Sequence, residues 1–238
     1  MFPGNPYIVG LGRVYFMVNK TLITIIIGLV ALSLGLWAIV ATQTPPSPAA
    51  VPGVAAGNVF TYSIKGYAAL TVENASIPQS FSELNMTDWY RITITNVTGP
   101  EVQFNTTWRF TNGTEIENMG NVNVLTGADN KIFWAIYPAN LTLNDYVSPG
   151  GSDGAIVNQT ETRTYKSGER ETNVMSLQNQ FVDTSDPDLR TVDDYIYVHF
   201  DRSTGMLVEL RDMRLYSDPE IILTTEQVLV SSNVWLVS

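Results

Sequence analysis

The residue pattern with the clearest chemistry in this 238-residue chain is Asn-x-Ser/Thr, the acceptor triplet for N-linked sugar. It occurs at Asn74, Asn85, Asn96, Asn105, Asn112, Asn140 and Asn158, and once more at Asn19. The transfer needs a solvated asparagine amide, so the triplets predict wet strand faces and turn tips in a compartment that attaches glycans. Asn19 would lie on the opposite, cytoplasmic side of the segment described below, out of reach of that machinery. No triplet follows residue 160, which marks the last third of the chain as a face turned to a membrane or a partner.

Other reactive side chains are few. The single histidine, His199, lies in Asp194-Tyr-Ile-Tyr-Val-His-Phe-Asp201. Strand alternation puts it on one face with Tyr195, Tyr197 and Asp201, opposite Ile196, Val198 and Phe200. A catalytic base needs a nucleophile and an orienting partner, and no Gly-x-Ser-x-Gly elbow is present. One histidine and no cysteine cannot build a zinc site of three or four such ligands. Asp183, Asp186 and Asp188 supply several oxygens for calcium, but the loop lacks the glycine and closing glutamate of an EF-hand, so solvated acids are expected. Gly10-Leu-Gly12 lacks the third glycine and the preceding strand of a dinucleotide fingerprint. Among 23 acids no pair stands out as glycosidase carboxylates. The expectation is a protein without cofactor or catalysis.

These residues need elements to position them, and the first is a membrane anchor. Thr21–Ala41, TLITIIIGLVALSLGLWAIVA, is uncharged and free of proline. As a helix it reaches roughly 31 Å, the thickness of a hydrocarbon core. Arg13 and Lys20 precede it and the next cation after it is Lys65, so the positive-inside rule puts residues 1–20 in the cytoplasm and the rest outside. Its length favours a retained anchor over a cleaved signal, with Ile39-Val40-Ala41 as the alternative cleavage site. Met17 is an alternative start. Gly28, Ala31, Gly35 and Ala38 fall on one helical face, a small-residue stripe on which a second helix can pack.

Residues 42–57 hold four prolines among small residues and read as a semi-rigid spacer. From Asn58 to Ser238 the hydrophobic period is two. Phe60/Tyr62/Ile64, Tyr90/Ile92/Ile94 and Val102/Phe104/Thr106/Trp108/Phe110 each alternate with polar residues, as half-buried strands do. Further strands are expected at 156–165, 172–182, 192–201, 206–216 and 221–237, and Lys131–Tyr137 reads as a strand covered on both faces. Asn112-Gly113 predicts a type I′ hairpin. Ile77–Leu84 is the one candidate helix. The fold class is all-β: a single transmembrane helix followed by an antiparallel meander of about eight to eleven strands, as a curved sheet, half-barrel or sandwich. A final strand left unpaired would invite exchange between copies.

Charge narrows the partners. The chain carries 13 Lys+Arg against 23 Asp+Glu, net −10, with no basic cluster. Such a surface repels nucleic-acid phosphate. Without cysteine, an exported domain must be held by its core alone, which fits archaeal or bacterial surface proteins.

Thr160-Glu-Thr-Arg-Thr-Tyr165, Gly168-Glu-Arg-Glu-Thr-Asn173, Tyr197–Leu210 and Asn112-Gly-Thr-Glu115 together resemble a broad group of uncharacterised archaeal surface proteins. The resemblance covers about residues 58–216. It implies a membrane segment with one β-sheet ectodomain and supplies no catalytic residues. The Asp-x-x-Thr-Gly-x-Leu hairpin is similar to one in curved-sheet lipoprotein carriers, but the lipobox cysteine is missing. The helix-before-β order is similar to pilins, but their Lys/Arg-Gly junction and helix glutamate are missing. The expected function is a membrane-anchored, glycosylated extracellular domain acting in binding or surface assembly; the alternative is a carrier of a hydrophobic ligand in a concave sheet.

Overall fold

A computed structural model describes residues 51–70, 77, 79–128, 135–151, 154–183, 190–217 and 221–237. The anchor 21–41, with Gly28, Ala31, Gly35 and Ala38, lies outside the described residues, as do Asn74, Asp186 and Asp188. Among the described residues no helix is long and apolar enough to cross a membrane.

The domain is one nine-stranded antiparallel sheet. Its strands are β1 (Val59–Leu70), β2 (Thr87–Thr98), β3 (Glu101–Phe110), β4 (Glu115–Asn123), β5 (Gln159–Tyr165), β6 (Gly168–Val182), β7 (Thr191–Asp201), β8 (Leu207–Tyr216) and β9 (Ile221–Ser232). Among the described residues one helix, the six-residue α1 (Gln79–Leu84), precedes β2. The spatial order is β4-β3-β2-β1-β9-β8-β7-β6-β5, and the sheet is not closed. Two meanders thus run outward from the centre, where the first strand pairs with the last. β9 is bonded on both sides, to β1 over eleven residue pairs and to β8, so it offers no loose strand for exchange.

Alternation sorts the side chains as period two requires. Phe60, Tyr62, Ile64, Ile92, Ile94, Val102, Phe104, Val198, Phe200 and Leu210 face one side and are buried. Lys65, Arg91, Asn105, Tyr197, His199 and Arg211 face the other. The apolar side is covered by the crossover from β4 to β5, which carries the chain from one edge of the sheet to the other. Ile136, Leu141, Val147 and Val157 of that crossover are buried in the same core. Lys131–Tyr137 is therefore not the expected strand over its described part. Ala135–Tyr137 is buried but makes only an isolated bridge, Ile136 to Met206, because the chain here lies on the sheet rather than in it.

Three smaller expectations also change. The 110–114 hairpin has positive φ at Gly113 (85°) but not at Asn112, so it is no type I′ turn. Gly113 N–H donates to Phe110 C=O at 2.8 Å and Phe110 N–H to Thr114 C=O at 2.9 Å, a type I turn followed by a left-handed glycine. The last strand stops at Ser232, and the tail beyond it folds back: Trp235 packs on Phe60 and Tyr165, with the Arg170 guanidinium 4.4 Å above its ring. The end of the proline-rich stretch is docked, with Pro52 and Val54 buried and Ala139 N–H bonded to Val51 C=O.

The β7–β8 turn, Asp201–Leu207, ties these pieces together. Asp201 is nearly inaccessible; it receives two hydrogen bonds from Arg170 and others from Thr204 N–H, Thr204 Oγ1 and Ser203 Oγ. Burial alone would raise its carboxyl, but these donors outweigh it and hold the group below the usual range. Gly205 has φ of 72° and bonds the crossover backbone at Tyr137; a Cβ there would overlap the Tyr137 carbonyl. A Cβ at Gly53 would overlap the Ser203 carbonyl in the same way. The Asp-x-x-Thr-Gly-x-Leu motif is thus a structural clasp.

Candidate functional site

Two polar clusters stand out, one on each side of the β6–β9 half. On the polar side, register places Glu209 of β8 opposite His199 of β7, and Val174 of β6 between His199 and β5. Arg163 of β5, opposite Arg170 in register, reaches diagonally over β6 to this group. Its Nε donates to Glu161 at 2.7 Å and its Nη1 to Glu209 at 2.7 Å, and Nη2 lies 2.6 Å from His199 Nδ1. His199 Nδ1 is also 3.0 Å from Glu161. One ring nitrogen cannot accept from Arg163 and donate to Glu161 at once, so whether Nδ1 carries the hydrogen decides between them. Burial favours a raised Glu161 carboxyl, yet the Arg163 hydrogen bond and charge, with His199, hold it below the ordinary range. The cluster is a surface ion network that locks the β5 edge to β7 and β8.

The second cluster lies on the apolar side. Asp194 of β7 faces Arg214 of β8, and Asp212 faces Ile196 two pairs along, on the same side of the sheet. Asp194 is only 5% exposed. Burial, and then the hydrogen bond and charge of Asp212, raise its carboxyl from 3.8 to about 7, against the opposing pull of Arg214 and Asn179. Arg214 Nη2 donates to Asp212 at 3.1 Å, while its Nε stands 3.8 Å from Asp194, too far for a hydrogen bond. Asp194 therefore keeps its proton up to near neutrality, beside the Asp212 carboxyl. On β9, the fully buried Gln227 lies on the same face, with neither amide atom hydrogen-bonded among the described residues. Sequence reasoning singled out no acid pair, yet a signal existed: Asp194 and Asp212 both occupy apolar-phase positions of strongly alternating strands.

The predicted residues are scattered rather than gathered. Asn85, Asn96, Asn105, Asn112, Asn140 and Asn158 are all exposed. Asn112 sits in the β3–β4 hairpin, its Oδ1 accepting from Thr114 N–H at 2.9 Å. Asn105 projects from the polar side of β3. Two have amides engaged twice: Asn85 Oδ1 accepts from Gly66 N–H and its Nδ2 donates to Gly66 C=O, both at 2.9 Å, and Asn158 Oδ1 accepts from Ser176 N–H at 2.7 Å and Ser176 Oγ at 3.1 Å. Asp183, the described member of the calcium candidates, accepts a hydrogen bond from Tyr216 Oη at 2.8 Å. No group of three or more potential metal ligands occurs among the described residues.

Comparison with known proteins adds no relative: no family model matches the chain, and neither a curated protein nor a solved structure does.

Proposed function

We propose that this is a cell-surface protein of archaeal type: a β-domain held to the membrane by residues 21–41, N-terminus inside, and N-glycosylated outside. It acts by binding or surface assembly rather than by catalysis, and it takes no cofactor and no nucleic acid. The observation that carries the reading is the exposure of every described triplet asparagine, Asn85, Asn96, Asn105, Asn112, Asn140 and Asn158. The charge asymmetry around residues 21–41 supports the orientation. The crossover, with Ile136, Leu141, Val147 and Val157 packed on the apolar face, favours this reading over a lipid carrier, which needs that face open.

The test is expression of the full chain in a host that N-glycosylates, with membrane fractionation and intact-mass measurement. Recovery in the membrane fraction is expected, with glycan mass that falls stepwise in Asn96→Gln, Asn105→Gln and Asn112→Gln variants. An unmodified chain recovered in the soluble cytoplasmic fraction overturns the reading.

A further inference from the structure

We propose that the polar side of the central strands β1, β9, β8 and β7 is a self-association surface, occupied by the same surface of a second copy of this chain. The inference takes the assembly part of the reading above and names its partner.

The surface is laid out by register. One cross-strand row reads Lys65, Glu226, Arg211, Tyr197 from β1 to β7. The row on one side reads Tyr67, Thr224, Met213, Tyr195, and the row on the other Ser63, Val228, Glu209, His199. Tyr67 is 50% exposed, Tyr197 43% and Val228 38%, a large share of apolar surface for the wet side of a sheet. The rows hold Lys65 and Arg211 against Glu226 and Glu209, so this patch is neutral on a chain of net charge −10. Two acidic copies can approach at such a patch without the repulsion met elsewhere. The four strands also carry no glycan triplet.

The pattern is self-complementary. Paired sheets pack with their strands roughly aligned, within about 30°. A two-fold axis parallel to the strands and passing between β8 and β9 sets β9 over the partner's β8, and β1 over the partner's β7. Arg211 then meets Glu226 across the interface, and Glu226 meets Arg211. Lys65 lies over the ring of Tyr197, and Tyr67 faces Tyr195. Every pair occurs twice, as a closed two-fold contact demands. A foreign partner would not require this mirror relation between β1/β9 and β7/β8.

The experiment measures protein mass by sedimentation and light scattering on the full chain in detergent. Wild type is expected at twice the 26.3 kDa chain mass. Arg211→Glu and Glu226→Arg should each shift it to monomer, and the combined swap should restore the dimer. Met119→Lys, at an 88% exposed position on edge strand β4, should leave it dimeric. Because the chain has no cysteine, Glu226→Cys offers a second readout that does not depend on a charge reversal: a short bis-maleimide should link it, and should not link Met119→Cys. A monomeric wild type overturns the proposal. So does a dimer that survives both single swaps, which would place association in residues 21–41 or elsewhere. Fractionation and glycan mass are read separately, so a failed dimer leaves the membrane and glycan results standing on their own.

Discussion

Asp194 and Asp212 give the domain a pH dependence whose sign is set by burial. The protonated form of Asp194 is favoured in the folded state, where the group titrates at about 7, and not in the unfolded chain, where an aspartate titrates near 3.8. Between those values the folded protein holds a proton that the unfolded chain has released, so stability falls as pH rises from about 4 to about 7. Asp201 works the other way: its depressed carboxyl contributes stability above the ordinary aspartate range, lost as pH falls through its folded value. Thermal melts should therefore peak at mildly acidic pH. Asp194→Asn, whose amide can donate where the proton did, should flatten the fall between about pH 4 and 7 (melting temperature followed by circular dichroism). An unchanged slope would mean that general acidic repulsion, not this pair, sets it. The pair was half legible beforehand, since two aspartates interrupt apolar phases; their meeting across β7 and β8 depends on register, which no single strand reveals.

At the scale of elements, strands were legible wherever one face is buried and the other wet, because that arrangement writes a period of two into the chain. The crossover was not. Lys131–Tyr137 is apolar on both sides, and a buried strand and a buried covering segment have the same composition. The hairpin at Asn112-Gly113 was placed correctly but typed wrongly, since one left-handed glycine suffices when the loop is three residues long. The β7–β8 clasp makes a sharper prediction. Gly205→Ala forces a side chain into a left-handed backbone and against the Tyr137 carbonyl. It should cost about 2 kcal/mol or more in urea unfolding. Arg202→Ala, at a half-buried position in the same turn whose partner Glu171 is exposed, should cost under about 1 kcal/mol, the usual range for a surface ion pair.

For the whole molecule, the C-terminal tail acts as a fastener. Trp235 is 5% exposed and touches Phe60 at the start of β1, Tyr165 at the end of β5 and Arg170 on β6, so one ring joins both meanders. Trp235→Ala should destabilise by about 3–5 kcal/mol, the range for emptying a large buried aromatic site. Loss should appear as one cooperative transition, because both halves share the contact; two separate transitions would show that the meanders unfold independently. Sequence alone gave no hint of this role, since the tail reads as a continuation of the final strand.

The pairing of β1 with β9 has a consequence for biogenesis. The seam down the middle of the sheet joins the earliest part of the domain to be made with the latest. A nascent domain must keep β1 waiting, one edge bare, until about 160 further residues have been made and β9 arrives. A chain cut short anywhere before residue 221 leaves that seam open, with the inner edge of β1 exposed to pairing with other chains.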